Sequence, residues 1–167
     1  MTPIKQRILN RLIEILDGPM TLDKGILIAL AAHGGQEDRG QNTYLRHPLR
    51  VMEALDSEDE MIAGVNHDSV EDSKTTINLR LEDLSDLGFT YSQAKVIDAV
   101  TKRDGESYED RIQRVKNSYV GVKIKKLDIK DNLQLWRLKR VTFTEKDVHK
   151  HQEYIHALAA LGGLQER

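Results

Sequence analysis

"AGVNHDSVEDS", Ala63 to Ser73, sets His67 beside Asp68 just after the apolar positions Met61, Ile62, Ala63 and Val65, then adds Glu71 and Asp72 one helical turn later. Ionisable groups at the edge of an apolar run are costly unless they are paired, hydrogen-bonded or bound to a metal. The spacing predicts a helix over roughly 59–70. On a helix, positions four apart share a face, so His67 lies above Glu71 and Asp68 above Asp72. A divalent ion bound by His67 and Asp68 would use both faces and leave Glu71 and Asp72 near any ligand seated on that ion. On a solvated face the same two carboxylates read simply as a helix-end charge cluster.

Helical periodicity continues on both sides of this stretch, and the fold class it predicts is all-α, with about eight helices. Ile4, Ile8, Leu12 and Leu16 form a stripe that Gly18-Pro19 ends. Leu22 to about His33 reads as a largely buried helix stopped by Gly34-Gly35, where His33 is placed to cap the helix end. "QEDRGQNTYLRH" reads as a loop, and Pro48 suits the first turn of a helix running to about Leu55. Thr75 or Thr76 is expected to cap a segment carrying Leu79, Leu84 and Leu87, with Gly88 as its stop. Helices are expected over Ser92–Lys102, Ser107–Asn117 and Lys123–Arg140, and Thr144 with Asp147 resembles a capping box for a last helix closed by Gly162-Gly163. Strand-like alternation, repeats and linkers are missing, so residues 1–167 are read as a single domain.

A length of 167 residues with 39% apolar and 31% charged side chains fits one globular domain. No apolar run reaches the ~18 residues a membrane span needs, and the N-terminus lacks a signal-peptide core, so a cytoplasmic location without membrane contact is expected. The formal net charge of −2 gives no general drive toward nucleic acid. Cysteine is absent, so any metal site must be built from nitrogen and oxygen ligands.

Two further stretches supply such ligands. In "VKIKKLDIKDNL", Asp128 and Asn132 are four apart on an otherwise packed helix, which makes Asp128 a candidate third ligand. His47 in "TYLRHPL" sits where a loop hands over to a helix and is the fourth candidate. Two nitrogens and two oxygens suit manganese, iron or another mid-row divalent ion with positions open to water. Lys123, Lys125, Lys126 and Lys130 read as a solvated helix face, with one of them able to reach a phosphate; Arg103, Glu106 and Tyr108 read as turn chemistry, and Trp136 as core or interface. His149, His151 and His156 fall on the expected last helix, where His149 and His151, two apart, do not share a face and so are not read as a metal site.

"AAHGGQEDRGQNTYLRHPLRV", "NHDSVEDSKTT", "AVTKRDGESYEDRIQRV" and "VKIKKLDIKDNLQLWRL" follow one another as in the HD-superfamily phosphohydrolases. From about Leu22 to Leu161 the chain most resembles the hydrolase domain of Rel/Spo alarmone enzymes and the related small alarmone hydrolases. The resemblance implies an HD-fold helical bundle that hydrolyses a nucleotide, with guanosine 3′,5′-bis(diphosphate), ppGpp, losing its 3′-pyrophosphate. It implies His47, His67, Asp68 and Asp128 as ligands of a divalent metal, usually Mn2+. Glu71 and Asp72 are the implied pair that positions or activates water, with Asn132 and Arg39 on the nucleotide. A synthetase domain is not expected within this length. The chain departs from the family at Asn66, where an apolar residue is usual, at Gln41 and Thr43, where Gly and Pro are usual, and at "KKLD" in place of "KLAD". A phosphatase or pyrophosphatase on another nucleotide and a non-catalytic nucleotide-binding module both remain open, as does assembly into a homo-oligomer.

Overall fold

A computed structural model of the chain describes residues 1–138 and 141–163. The fold is all-helical: α1 Pro3–Asp17, α2 Leu22–His33, α3 Arg46–Glu53, α4 Glu58–Val65, α5 Ser69–Asp72, α6 Asp83–Asp86, α7 Tyr91–Val100, α8 Tyr108–Val115, α9 Tyr119–Asn132, a 3-10 turn at Leu135–Leu138, and α10 Glu145–Ala160. Among the described residues there is no strand, only an isolated antiparallel bridge between Glu37 and Thr43.

The helix starts follow local side-chain chemistry. Thr21, Ser57, Thr90, Ser107, Ser118 and Thr144 each accept a hydrogen bond from an amide of the first turn, supplying a partner that the helix itself cannot. Thr90 with Gln93 and Thr144 with Asp147 form full capping boxes. The stops hold too, with Gly35, Gly88 and Gly162 all at positive φ.

α9 is the central strut. It packs against α3, α7, α8 and α10, while α4 packs against α2, α3 and α7. Ile124 and Ile129 of α9 are fully buried with Ile62, Leu84, Ile97 and Val115 from the surrounding helices. Burial of side chains this size contributes roughly 1.5–3 kcal/mol each, which fixes α9 and with it Asp128 and Asn132. Gly64 lets α3 and α4 approach closely, since a Cβ there would stand 2.3 Å from Leu55 Cδ1.

Three expectations are corrected and one is narrowed. The helix expected over 59–70 breaks after Val65. Asn66 Nδ2 donates to Ile62 O, and both the Asn66 amide and His67 Nδ1 turn to Gly64 O, so side chains and a tightened turn consume the carbonyls that a continuing helix would use. The segment after Thr75 stays irregular until Asp83, because Thr76 donates its hydroxyl to Ala32 O and Ser73 O instead of capping a helix. The helix expected over Lys123–Arg140 starts earlier, at Tyr119, and ends at Asn132, with a 3-10 turn beyond it; residues 139 and 140 lie outside the described residues, as do 164–167 of the expected 1–167 domain. Trp136, expected in the core or at an interface, is 48% exposed with the Arg50 guanidinium over its ring, which removes the core alternative only.

Candidate metal centre and its cavity

The break after Val65 is what makes the His67-Asp68 pair converge. On a straight helix adjacent side chains point ~100° apart, but in this turn His67 Nε2 comes within 3.0 Å of Asp68 Oδ2. α3 brings His47, whose Nε2 stands 3.5 Å from Asp68 Oδ2 and 3.3 Å from Asp128 Oδ1 of α9. One ligand atom each from His47, His67 and Asp128 lies within 4.8 Å of the others, and Asp68 stands beside them. The three are nearly sealed from solvent, at 2%, 2% and 4% exposure.

Hydrogen bonds set the imidazole tautomers. His67 Nδ1 is 2.7 Å from Gly64 O, and a carbonyl can only accept, so Nδ1 carries the proton. His47 Nδ1 is 2.6 Å from Asp131 Oδ2 and donates to it in the same way. In the neutral rings both Nε2 lone pairs therefore face the cluster, the orientation that metal-ligating histidines take when a backbone carbonyl or carboxylate holds the other nitrogen. His67 Nε2 has no hydrogen-bond partner of good geometry, although Asp68 Oδ2 stands 3.0 Å away. A buried orphan nitrogen facing two carboxylates and a second imidazole fits a divalent cation bound by nitrogen and oxygen.

Electrostatics agree with that fit. Burial alone would lower the His47 pKa, but Asp128, Asp131 and Asp68 raise it well above the ordinary histidine value. His67 is likewise pushed down by burial and raised overall, mainly by Asp68. Burial works against ionised Asp68 and Asp128, yet both are held below the usual carboxylate range, Asp68 chiefly by His67 and Asp128 chiefly by Lys125. A cation at the centre would replace the protons that these groups otherwise share.

Asp68 and Asp128 line a cavity of about 500 Å³, with His47 and His67 buried beside them. Glu71 and Asp72, on α5, sit on one wall. Glu71 Oε2 accepts from Arg111 Nη1 at 2.9 Å and from the Lys102 amide at 3.1 Å. Asp72 shares the Tyr44 hydroxyl with Asp68. Burial, then the Asp68 and Glu71 charges, push the Asp72 carboxyl up to about 6. Lys125, Arg111, Lys102 and Lys150 also line the cavity and bring positive charge to it. Arg111 keeps a buried Nε without a hydrogen-bond partner, and so does the Tyr108 hydroxyl.

Asn132 reaches the cluster, donating to Asp128 Oδ1 at 2.5 Å. Arg39 does not: its guanidinium is bound to Asp147 at 3.0 Å and to Thr142 O, at the start of α10. Gln41, where the resembled family has glycine, takes the left-handed φ of 60° that such a position demands. Asn66, where that family has an apolar residue, is fully buried, bonding Gly25 O and Ile62 O and accepting from Ser69 Oγ. His33 does not cap its helix; its ring is fully buried between Gln36 and Ser69, and burial lowers its pKa.

Several site residues escape a linear reading. Lys125, expected on a solvated face, is 3% exposed and bound to Asp128 Oδ2 at 2.6 Å. Its three-residue offset from Asp128 is the signal that could have found it. Asp131 also had that offset. Arg111 lies 40 residues from its partner Glu71, and no sequence pattern joins them.

No family model matches the chain, and no curated protein does. Among solved structures it is similar to that of a metazoan ortholog of SpoT that hydrolyzes ppGpp and plays a role in starvation responses. The TM-score is 0.69 with 20% sequence identity, over 85% of each chain. That likeness establishes the fold, the HD-type helical architecture that the sequence motifs imply. No helix of the described residues is long and apolar enough to cross a membrane.

Proposed function

We propose that the chain is a cytoplasmic, metal-dependent nucleotide phosphohydrolase of one HD-type domain, working with Mn2+ and removing the 3′-pyrophosphate of ppGpp. The observation that carries this reading is one cavity lined by Asp68, Asp128, Glu71 and Asp72 together with four cations, with His47 and His67 buried against Asp68 and Asp128 beside it. The fold shared with a protein described as hydrolysing ppGpp supports the choice of substrate.

His47, His67, Asp68 and Asp128 would hold the ion, which when bound supplies Lewis acidity toward water and a phosphoryl oxygen. Lys125 and Asn132 hold the Asp128 carboxylate from both oxygens, so its direction is set in advance. Asp72, whose carboxyl is pushed up to about 6 before any ion is bound, is placed to take a proton from water, and Glu71, fixed by Arg111 and the Lys102 amide, orients that water. Lys102, Lys150 and Arg111, all on the cavity lining, stabilise the phosphoryl charge that builds during transfer. Water adds to the phosphorus attached to the 3′ oxygen, and that P–O bond breaks to give GDP and pyrophosphate.

The test is incubation of purified protein with Mn2+ and ppGpp, following GDP and pyrophosphate. Asp68→Ala and Glu71→Ala should both lose activity; release undiminished in both would overturn the assignment. A second reading, a phosphatase or pyrophosphatase on another nucleotide, is favoured by Arg39, whose guanidinium is engaged by Asp147 instead of the cavity. Preference for a nucleoside mono-, di- or triphosphate over ppGpp would select it.

A further inference from the structure

Tyr44 touches two carboxylates that have different work to do. Its hydroxyl lies 2.6 Å from Oδ2 of Asp68, a candidate metal ligand, and 3.1 Å from Oδ2 of Asp72, the candidate proton acceptor. Asp68 Oδ2 is also the oxygen that His67 Nε2 and His47 Nε2 approach, at 3.0 and 3.5 Å. Among the described residues no other hydrogen bond reaches the Asp72 carboxylate. A phenol carries one proton, so one hydroxyl serves both acceptors and donates to one of them at a time.

The phenol is held in that place by more than its own hydrogen bonds. The Tyr44 amide donates to Gln36 O at 3.0 Å, and Gln36 Nε2 donates to Asp72 O at 2.8 Å, so one glutamine ties the loop carrying the phenol to the helix carrying Asp72. The fully buried His33 ring bonds Gln36 Oε1 through Nδ1 and packs against the Tyr44 ring, with 4.9 Å between centroids. Its Nε2 meets Ser69 Oγ at 3.4 Å, just after Asp68 in the chain. A group locked by its neighbours in this way is what precise support of a reactive side chain requires. We propose that Tyr44 is a shared positioning residue, its hydroxyl orienting both the metal-ligating carboxylate of Asp68 and the proton-accepting carboxylate of Asp72. This rests on the metal-dependent hydrolase reading and names the one side chain on which both halves of that site depend.

Tyr44→Phe keeps the ring and removes only the hydroxyl, so circular dichroism should show wild-type helicity. Calorimetric titration with Mn2+ alone should find affinity about 10–100-fold weaker, the loss expected when a ligating carboxylate is deprived of its outer hydrogen bond. At saturating Mn2+, with ppGpp or the nucleoside phosphate that the wild type hydrolyses fastest, kcat should stay about 10–100-fold down at unchanged KM, because Asp72 is no longer aligned. In an Asp72→Asn background the same change should still weaken Mn2+ but lower kcat by less than about threefold more, since groups acting as a unit are not additive. A general loss of structure would lower kcat alike in both backgrounds. Wild-type Mn2+ affinity in Tyr44→Phe, a kcat restored by saturating Mn2+, or equal kcat losses in the two backgrounds would each overturn the proposal and leave the hydrolase reading standing. A wild type that takes up no Mn2+, or takes it up and hydrolyses no nucleotide, overturns that reading and the proposal with it.

Discussion

Replacing Asp131 by asparagine and by alanine separates the two roles its position gives it. The carboxylate accepts from His47 Nδ1 at 2.6 Å, from Arg50 Nε and Nη2 at 2.5 and 2.9 Å, and from Arg137 Nη1 at 2.7 Å. Burial disfavours its charge, yet Arg50 and His47 hold its pKa far below the usual range. Its ionised form therefore stabilises the fold above the ordinary aspartate pKa, and that contribution is lost as pH falls through the depressed value. Removing one partner of a buried ion pair costs about 3–5 kcal/mol. Arg137 is sealed, but Arg50 has 29% exposure and can turn to water, so the expected cost at pH 7 is about 2–3 kcal/mol. Thermal unfolding of the metal-free protein should then move down by roughly 4–12 °C. The second role is tautomer control. In Asp131→Asn the side-chain carbonyl would still accept from His47 Nδ1–H, whereas Asp131→Ala frees the ring to protonate Nε2 and turn its lone pair away. Loss of an outer partner of a metal-ligating histidine lowers affinity about 10–100-fold; Asp131→Asn should fall near the lower end and Asp131→Ala near the upper. Calorimetric Mn2+ titration measures both. Unchanged affinity in both variants, whatever their stability, would refute the link from Asp131 through His47 to the metal.

Three other outcomes follow from the geometry. The Asp72 carboxyl binds its proton more tightly folded than unfolded, so its contribution to stability is present below about pH 4 and lost as pH rises through about 6. In chelator Asp72→Asn should therefore be more stable than wild type above pH 6, by under ~1 kcal/mol because the group is partly exposed, and the gap should close below pH 4 in thermal unfolding. Gly40→Ala would put a Cβ 1.8 Å from Arg137 O and pry the 36–44 loop from the 3-10 turn, which also holds Asp38 against Arg137; denaturant titration should register a loss of about 1–3 kcal/mol. Asn66→Leu removes two donated bonds and one accepted bond in the core and should cost about 2–3 kcal/mol, and a neutral result would mean Asn66 does not hold the turn that carries His67.

The sequence by itself determined the helices and most of their ends, because caps such as Thr90 with Gln93 and stops such as Gly88 act within a few residues of the chain. It also named His47, His67, Asp68, Asp128, Glu71, Asp72 and Asn132, which the structure gathers in or beside one cavity. Those residues were legible because polar groups at helical spacing in apolar stretches have few cheap explanations. Only the tertiary structure decided where the helix before His67 breaks, since Asn66 reaches a carbonyl of Gly25 41 residues away. It decided that Lys125 and Arg111 face the cavity while Arg39 is held by Asp147, 108 residues on. A cation finds its carboxylate through space, and local patterning carries no record of which distant helix is brought alongside. The apolar stripe of α1 was plain in the sequence, but that nothing else in the described fold covers it was not. Whether an amphipathic face meets the core or the solvent is set by the packing of all the other helices.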